Sequence, residues 1–176
     1  HKEWLGLLQP VGLVVSPPAL IKAQAVVNRG KAVELQTRLT EIVCYDPIPN
    51  LDSKEVLWIK DFPAFTEQVL EWMPDDLVGD QEGNALPQQL EVVLTDYGET
   101  LKPSYAVPDP DNDGWLMLVM EVAPGVDLDG VESSEKGSGW KATVQEKFER
   151  LLRETNIPIG ILFNGTRLRL VYAPSG

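Results

Sequence analysis

The sequence predicts an α/β domain: a mixed central sheet flanked by helices, preceded by a helical arm. Three stretches carry that prediction. The run Trp115-Leu-Met-Leu-Val-Met-Glu121 is apolar on both faces, as a strand at the centre of a sheet must be. Residues 140–154 then place Val144, Phe148, Leu151 and Leu152 on one helical stripe. Finally, Asn164-Gly165 joins two β-rich runs within residues 159–172. It predicts a closing hairpin with a type I′ turn, whose two central positions both need positive φ.

In chain order, residues 1–50 read as the helical arm. Ser16-Pro17-Pro18 is a helix start, because Ser16 can cap and Pro at the first helical position forfeits no hydrogen bond. A short helix over residues 19–27 follows, broken by Asn28-Arg29-Gly30. A second helix, residues 31–43, sets Leu35, Leu39, Ile42 and Val43 on one stripe, and Pro47-Ile48-Pro49 ends it.

Residues 51–176 read as the core. Val56-Leu-Trp-Ile59 is a short strand, and residues 63–73 form a helix with Phe62, Phe65, Val69, Trp72 and Met73 on one face. Residues 75–87 are a polar loop, 90–94 a strand and Asp96-Tyr-Gly-Glu99 a turn. A short strand at 104–107 and a tight loop at 109–114 lead into the strand at 115–122. Residues 124–139 are acidic, rich in Gly and Ser, and aperiodic. In the last strand Leu168, Leu170 and Tyr172 alternate with Arg167, Arg169 and Val171, which predicts one buried face and one partly cationic face. Trp58, Trp72 and Trp115 read as core; Trp4 and Trp140 are less constrained.

Composition narrows the class. With 176 residues and 43% hydrophobic content the chain has enough material for one core, with or without an appended arm. No apolar run reaches the length of a membrane span, and no segment has the form of a signal peptide. The single cysteine, Cys44, excludes an internal disulfide and a multi-cysteine zinc site, and it reads as a small core residue. The cytoplasm is the expected compartment. The start at His1 and the stop after a strand at Gly176 read as a fragment of a longer protein.

Charge is unevenly distributed along the chain. The total is −12, but residues 51–135 carry three Lys/Arg against twenty Asp/Glu, while residues 138–176 carry six against three. An acidic body repels a DNA duplex, so phosphate contacts are expected from Lys141, Lys147, Arg150, Arg153, Arg167 and Arg169. The alternative is that these cations are the solvated faces of a helix and a hairpin.

The element order from residue 62 is helix, three strands, helix, two strands. Together with Val119-Met120-Glu121, Gln145 and Leu162-Phe163-Asn164-Gly165-Thr166-Arg167-Leu168, it resembles the PD-(D/E)XK restriction-endonuclease-like superfamily. The particular likeness is to the N-terminal nuclease-like domain of type I restriction subunits and of large restriction–modification methylase proteins. Phe148-Glu-Arg-Leu-Leu-Arg-Glu-Thr155 running into Ile157-Pro-Ile-Gly-Ile-Leu162 looks most like the methylase-fused group. The likeness covers residues 62–173.

The resemblance implies a restriction-endonuclease-like core acting on DNA. Its chemistry would be phosphodiester hydrolysis with Mg²⁺ on hard oxygen ligands and a lysine near the attacking water. It makes Glu121 the third-strand metal ligand, Glu67 a candidate on the first helix and Gln145 a site-orienting residue. Two positions depart from the pattern: Ser104 stands where an acid follows Pro103, and Ala123 stands where the lysine falls. Asp109 or Asp111 could replace the acid, and Lys141 the amine. The partners implied are DNA and a methylase or helicase domain in the same or a partner chain, with no membrane. The rival reading is a catalytically silent docking module that positions such a domain.

Other patterns weigh less. Asp109-Pro-Asp-Asn-Asp113-Gly114 has the form of a calcium loop, but the closing position is Met120, and a solvated turn is the alternative. His1 is the sole histidine and terminal, which excludes Ser-His-Asp and Cys-His catalysis. No dinucleotide, P-loop or methyl-donor loop is present, so a methylase would lie beyond Gly176. Gln145 and Glu149, one helical turn apart, share a face that either looks toward the site or is simply polar and exposed.

Overall fold

The computed structural model describes residues 17–22, 29–48, 55–79, 85–131 and 139–176. The chain divides into two compact units, residues 1–32 and 33–176. In the first, Pro17–Lys22 forms helix α1, and Arg29–Lys31 is a 3-10 turn. The Ser16 cap, Trp4, His1, Pro49 and residues 23–27 of the expected first helix lie outside the described residues.

Helix α2 (Ala32–Ile42) leads into the second unit with Leu35, Leu39 and Ile42 half-buried. It stops one residue short of the expected end. Val43–Asp46 instead extends as strand β1 and pairs antiparallel with β2 (Val56–Ile59). β-Branched and aromatic side chains favour such a ribbon. The ribbon spans the 50/51 point at which the sequence reading divides the chain.

Helix α3 (Phe62–Gln68) is capped by Asp61, whose carboxylate accepts the Ala64 N–H at 2.9 Å. It ends well before the expected Met73. Glu71 takes a φ of 58°, and the Trp72 N–H returns to the Thr66 carbonyl, so the chain has left the helix before Trp72. Strands β3 (Val92–Leu94) and β4 (Glu99–Leu101) form a hairpin closed by left-handed Gly98. The sequence reading contains the turn but not the three-residue strand after it.

The main sheet has the order β5 (Tyr105–Pro108), β6 (Trp115–Glu121), β7 (Ile159–Phe163), β8 (Leu168–Tyr172). The β5/β6 and β7/β8 pairs are antiparallel, and β6/β7 is parallel. A parallel pair needs a crossover, and helix α4 (Val144–Glu154) supplies it. That helix begins at Val144 rather than Trp140 because Thr143 is its cap. The Glu146 N–H reaches Thr143 Oγ1 at 3.1 Å, and the Thr143 N–H reaches Glu146 Oε2 at 2.7 Å.

Alternation along β6 sends Leu118 and Val119 to opposite sides, and a core lies on each. One joins Leu118, Leu162 and Val171 to Phe148, Leu151 and Leu152 of α4 and to Leu94 and Leu101 of the β3–β4 hairpin. The other joins Val119, Ile161 and Phe163 to Phe62 of α3. The result is the mixed sheet flanked by helices that the sequence predicts. Close packing of α4 depends on Gly160. A Cβ there would stand 2.4 Å from Phe148 Cζ and 3.0 Å from Leu152 Cδ2.

Two details of the final hairpin differ from expectation. Phe163 pairs with Leu168, so the loop has four residues, and only Gly165 (φ 81°) is left-handed. Asn164 organises it from a buried position. Its Oδ1 accepts the N–H groups of Thr166 and Arg167, and its Nδ2 donates to the Val126 carbonyl at 2.8 Å. The buried face of β8 is also the opposite of the predicted one. Val171 is covered by α4, whereas Leu168, Leu170 and Tyr172 are 43%, 48% and 56% exposed. The α3 core reaches Ile161 and Phe163 of β7 and takes in no β8 residue. No helix among the described residues is long and apolar enough to cross a membrane.

Candidate functional site

Glu121 closes β6, where the sheet ends and a cleft of about 790 Å³ opens. One wall is Leu86, Pro87, Leu90 and Glu91, leading into β3. The other is Met120, Glu121 and Val122, and Lys102, Pro103 and Ser104 join them. Two carboxylates and one ammonium therefore line a partly apolar depression whose size suits a small molecule or part of a larger one.

The floor is fixed by hydrogen bonds across the start of β5. The Ser104 N–H donates to the Val119 carbonyl at 2.8 Å. Its Oγ accepts the Glu121 N–H at 2.9 Å and donates to the Glu121 carbonyl at 3.3 Å. The Tyr105 hydroxyl donates to Glu121 Oε2 at 3.2 Å, and Phe62 stacks on the Tyr105 ring at 5.8 Å. Glu121 is thus held by the strand beside it and, through Tyr105, by α3. Ser104 is occupied with the Glu121 main chain.

The other sequence-predicted residues lie elsewhere. Asp109 and Asp111 occupy the β5–β6 loop, where the Asp109 N–H bonds to the Gly114 carbonyl. Trp115, which begins β6 beside that loop, pairs with Pro108, whereas Val119 pairs with Tyr105. The loop is therefore about 20 Å from Glu121 along the strand, and these acids do not converge with it. Asp109 is engaged in its own loop. The Asp111 N–H and Asn112 Nδ2 bond to it and hold its carboxyl below the usual range.

Glu67 is exposed on α3 and does not line the cleft. Lys141 is exposed before α4 and does not line it either. Gln145 Nε2 donates to Glu149 Oε1 at 2.8 Å, while its Oε1 accepts from Arg169. Gln145 and Glu149 do share a face, but it belongs to a surface network. Arg169 there forks onto both Asp129 oxygens at 2.8 and 3.0 Å, and this holds the Asp129 carboxyl below its ordinary value.

Two charged cleft residues, Lys102 and Glu91, are not among the site residues expected from the sequence. Lys102 carries a local signal, since it immediately precedes the Pro103-Ser104 position singled out as the missing acid. Glu91 has none: it follows a 3-10 turn just before β3 and lines the cleft from there. Among the described residues no three His, Cys, Asp or Glu side chains converge. No family model, curated protein or solved structure matches the chain.

Proposed function

We propose that this chain is a nuclease-like domain with a restriction-endonuclease-like core. It would belong to a bacterial restriction–modification or phage-defence protein of the cytoplasm and act on DNA with the rest of that protein, a methylase or helicase domain included. The observation that carries this reading is Glu121, which ends the central strand in the cleft at the end of the sheet. The parallel β6–α4–β7 crossover and the antiparallel β5 and β8 beside it support this reading, although four strands rather than three lie between α3 and α4, and the first of them, β3, pairs with β4 outside the main sheet.

The metal site is a reduced one. Mg²⁺ is commonly held by one or two carboxylates, with water and substrate phosphate completing the shell. Glu121, with Glu91 across the cleft, fits that donor set, and Ser104 withholds a further carboxylate. An ion there would stabilise charge on the phosphate. The chain's own part is to hold Glu121 in place through Tyr105 and Ser104.

The test is Mg²⁺- or Mn²⁺-dependent nicking of supercoiled plasmid by the protein that contains this chain. Glu121→Ala should lower it by at least about 100-fold, as removal of a catalytic metal ligand does. Absence of nicking, or nicking indifferent to Glu121→Ala, overturns the reading.

One observation favours the second reading, a silent docking module. Leu168, Leu170, Tyr172 and Ile159 leave an apolar face exposed at the β8 edge, and apolar patches on a sheet edge mark contact surfaces.

A further inference from the structure

The structure redistributes the cations that the sequence assigns to phosphate. Lys147 is buried against Glu99 at 2.6 Å, Arg153 binds Glu149 at 2.7 Å, and Arg169 binds Asp129 at 2.8 Å. Arg150 lies over the Trp140 ring and 3.7 Å from Glu154. Four of the six basic side chains of the C-terminal segment are therefore already engaged. Lys102 differs: it is exposed and has no ion pair or hydrogen bond among the described residues. It is also the one cationic side chain among the described residues that line the cleft.

We infer that Lys102 receives a phosphate group of the DNA backbone in this cleft. The inference rests on the DNA-directed reading above and names the residue that makes the contact. Lys102 is two residues from Ser104, at most about 7 Å of chain, and the Ser104 hydroxyl is bonded to the Glu121 main chain. A flexible four-carbon stem carries the ammonium from there over the cleft. Charges beyond about 8 Å are screened at physiological salt, so the surrounding acidic body matters less to a bound phosphate than the groups lining the cleft. Of these, Glu91 and Glu121 repel a phosphate and Lys102 attracts it. A divalent cation held by the two carboxylates would remove that repulsion and leave Lys102 to act alongside it.

The experiment is fluorescence anisotropy of the protein that contains this chain with a short labelled DNA duplex over a series of salt concentrations. Ca²⁺ replaces Mg²⁺ so that binding is read without cleavage. Lys102→Ala should weaken binding about tenfold and reduce the salt slope by about one. Lys102→Arg should keep both. Lys60→Ala removes an equal charge from a lysine paired with Asp46 outside the cleft, and it should keep the slope. If the wild type binds and Lys102→Ala matches it in affinity and slope, the inference fails while the DNA-directed reading stands. If the wild type does not bind DNA, that reading fails and the inference with it. Circular dichroism of Lys102→Ala and the behaviour of Lys102→Arg separate a lost contact from a lost fold.

Discussion

Glu99 shows how little of a side chain's role can be read one residue at a time. It sits in a three-residue strand, yet its carboxylate accepts Lys147 Nζ at 2.6 Å and the Trp140 N–H at 2.9 Å. It thereby joins the β3–β4 hairpin to α4 and to the segment before it. Lys147 was read as a phosphate contact, and its burial is set by a partner 48 positions away, which no local pattern announces. Burial alone would raise the Glu99 pKa, but the Lys147 and Trp140 hydrogen bonds outweigh it and the net shift is downward. A lowered carboxylate pKa stabilises the fold above the unfolded value of 4.5, and this is lost as pH falls through the folded value. Glu99→Gln should therefore cost about 2 kcal/mol at neutral pH by removing the ion pair between Glu99 and the buried Lys147. The Tm-versus-pH curves of variant and wild type should converge below about pH 4.5. An offset that stays constant down to low pH would remove Glu99 as the titrating group.

Elements were legible where a local signal and the tertiary context agreed. The strand at 115–121 is apolar on both faces and does lie between two cores. Ends and faces were less legible. The α3 terminus depends on Glu71 adopting a conformation usual for glycine. Asn164-Gly165 signals a hairpin in either loop, but burial of Asn164 against the Val126 carbonyl selects the four-residue form. The outward face of β8 follows from which helix covers it, and periodicity cannot supply that. The α4–sheet contact gives the prediction at this scale. Gly160→Ala forces Phe148 and Leu152 to move and should cost about 2 kcal/mol, read by chemical denaturation. Phe148→Leu should recover part of the loss in the double variant, because the two sites are in contact. Additive effects would mean that Gly160 is not where α4 approaches the sheet most closely.

For the whole molecule, the α/β architecture and Glu121 at the end of its central strand were readable from the order of apolar runs. The assembly of the cleft was not. Asp109 and Asp111 are near Glu121 in neither sequence nor space, because an antiparallel hairpin puts its loop at the far end from its open side. Lys102 and Glu91 reach the cleft through a hairpin whose second strand is too short to show a period. The acidic middle of the chain, net −17 over residues 51–135, accordingly contributes the cleft cation as well as its carboxylates.

On the proposed reading, Glu121 anchors a nuclease-type metal site reduced at position 104. The most direct measurement is Mn²⁺ affinity by isothermal titration for the wild type, Ser104→Asp, and Ser104→Asp combined with Glu121→Ala. Because the side chain at position 104 lies against the Glu121 main chain just before β5, a carboxylate there should raise affinity about tenfold, and Glu121→Ala should abolish the gain. Equal affinity in the wild type and Ser104→Asp, or a gain that survives Glu121→Ala, would show that Glu121 does not anchor a metal site there.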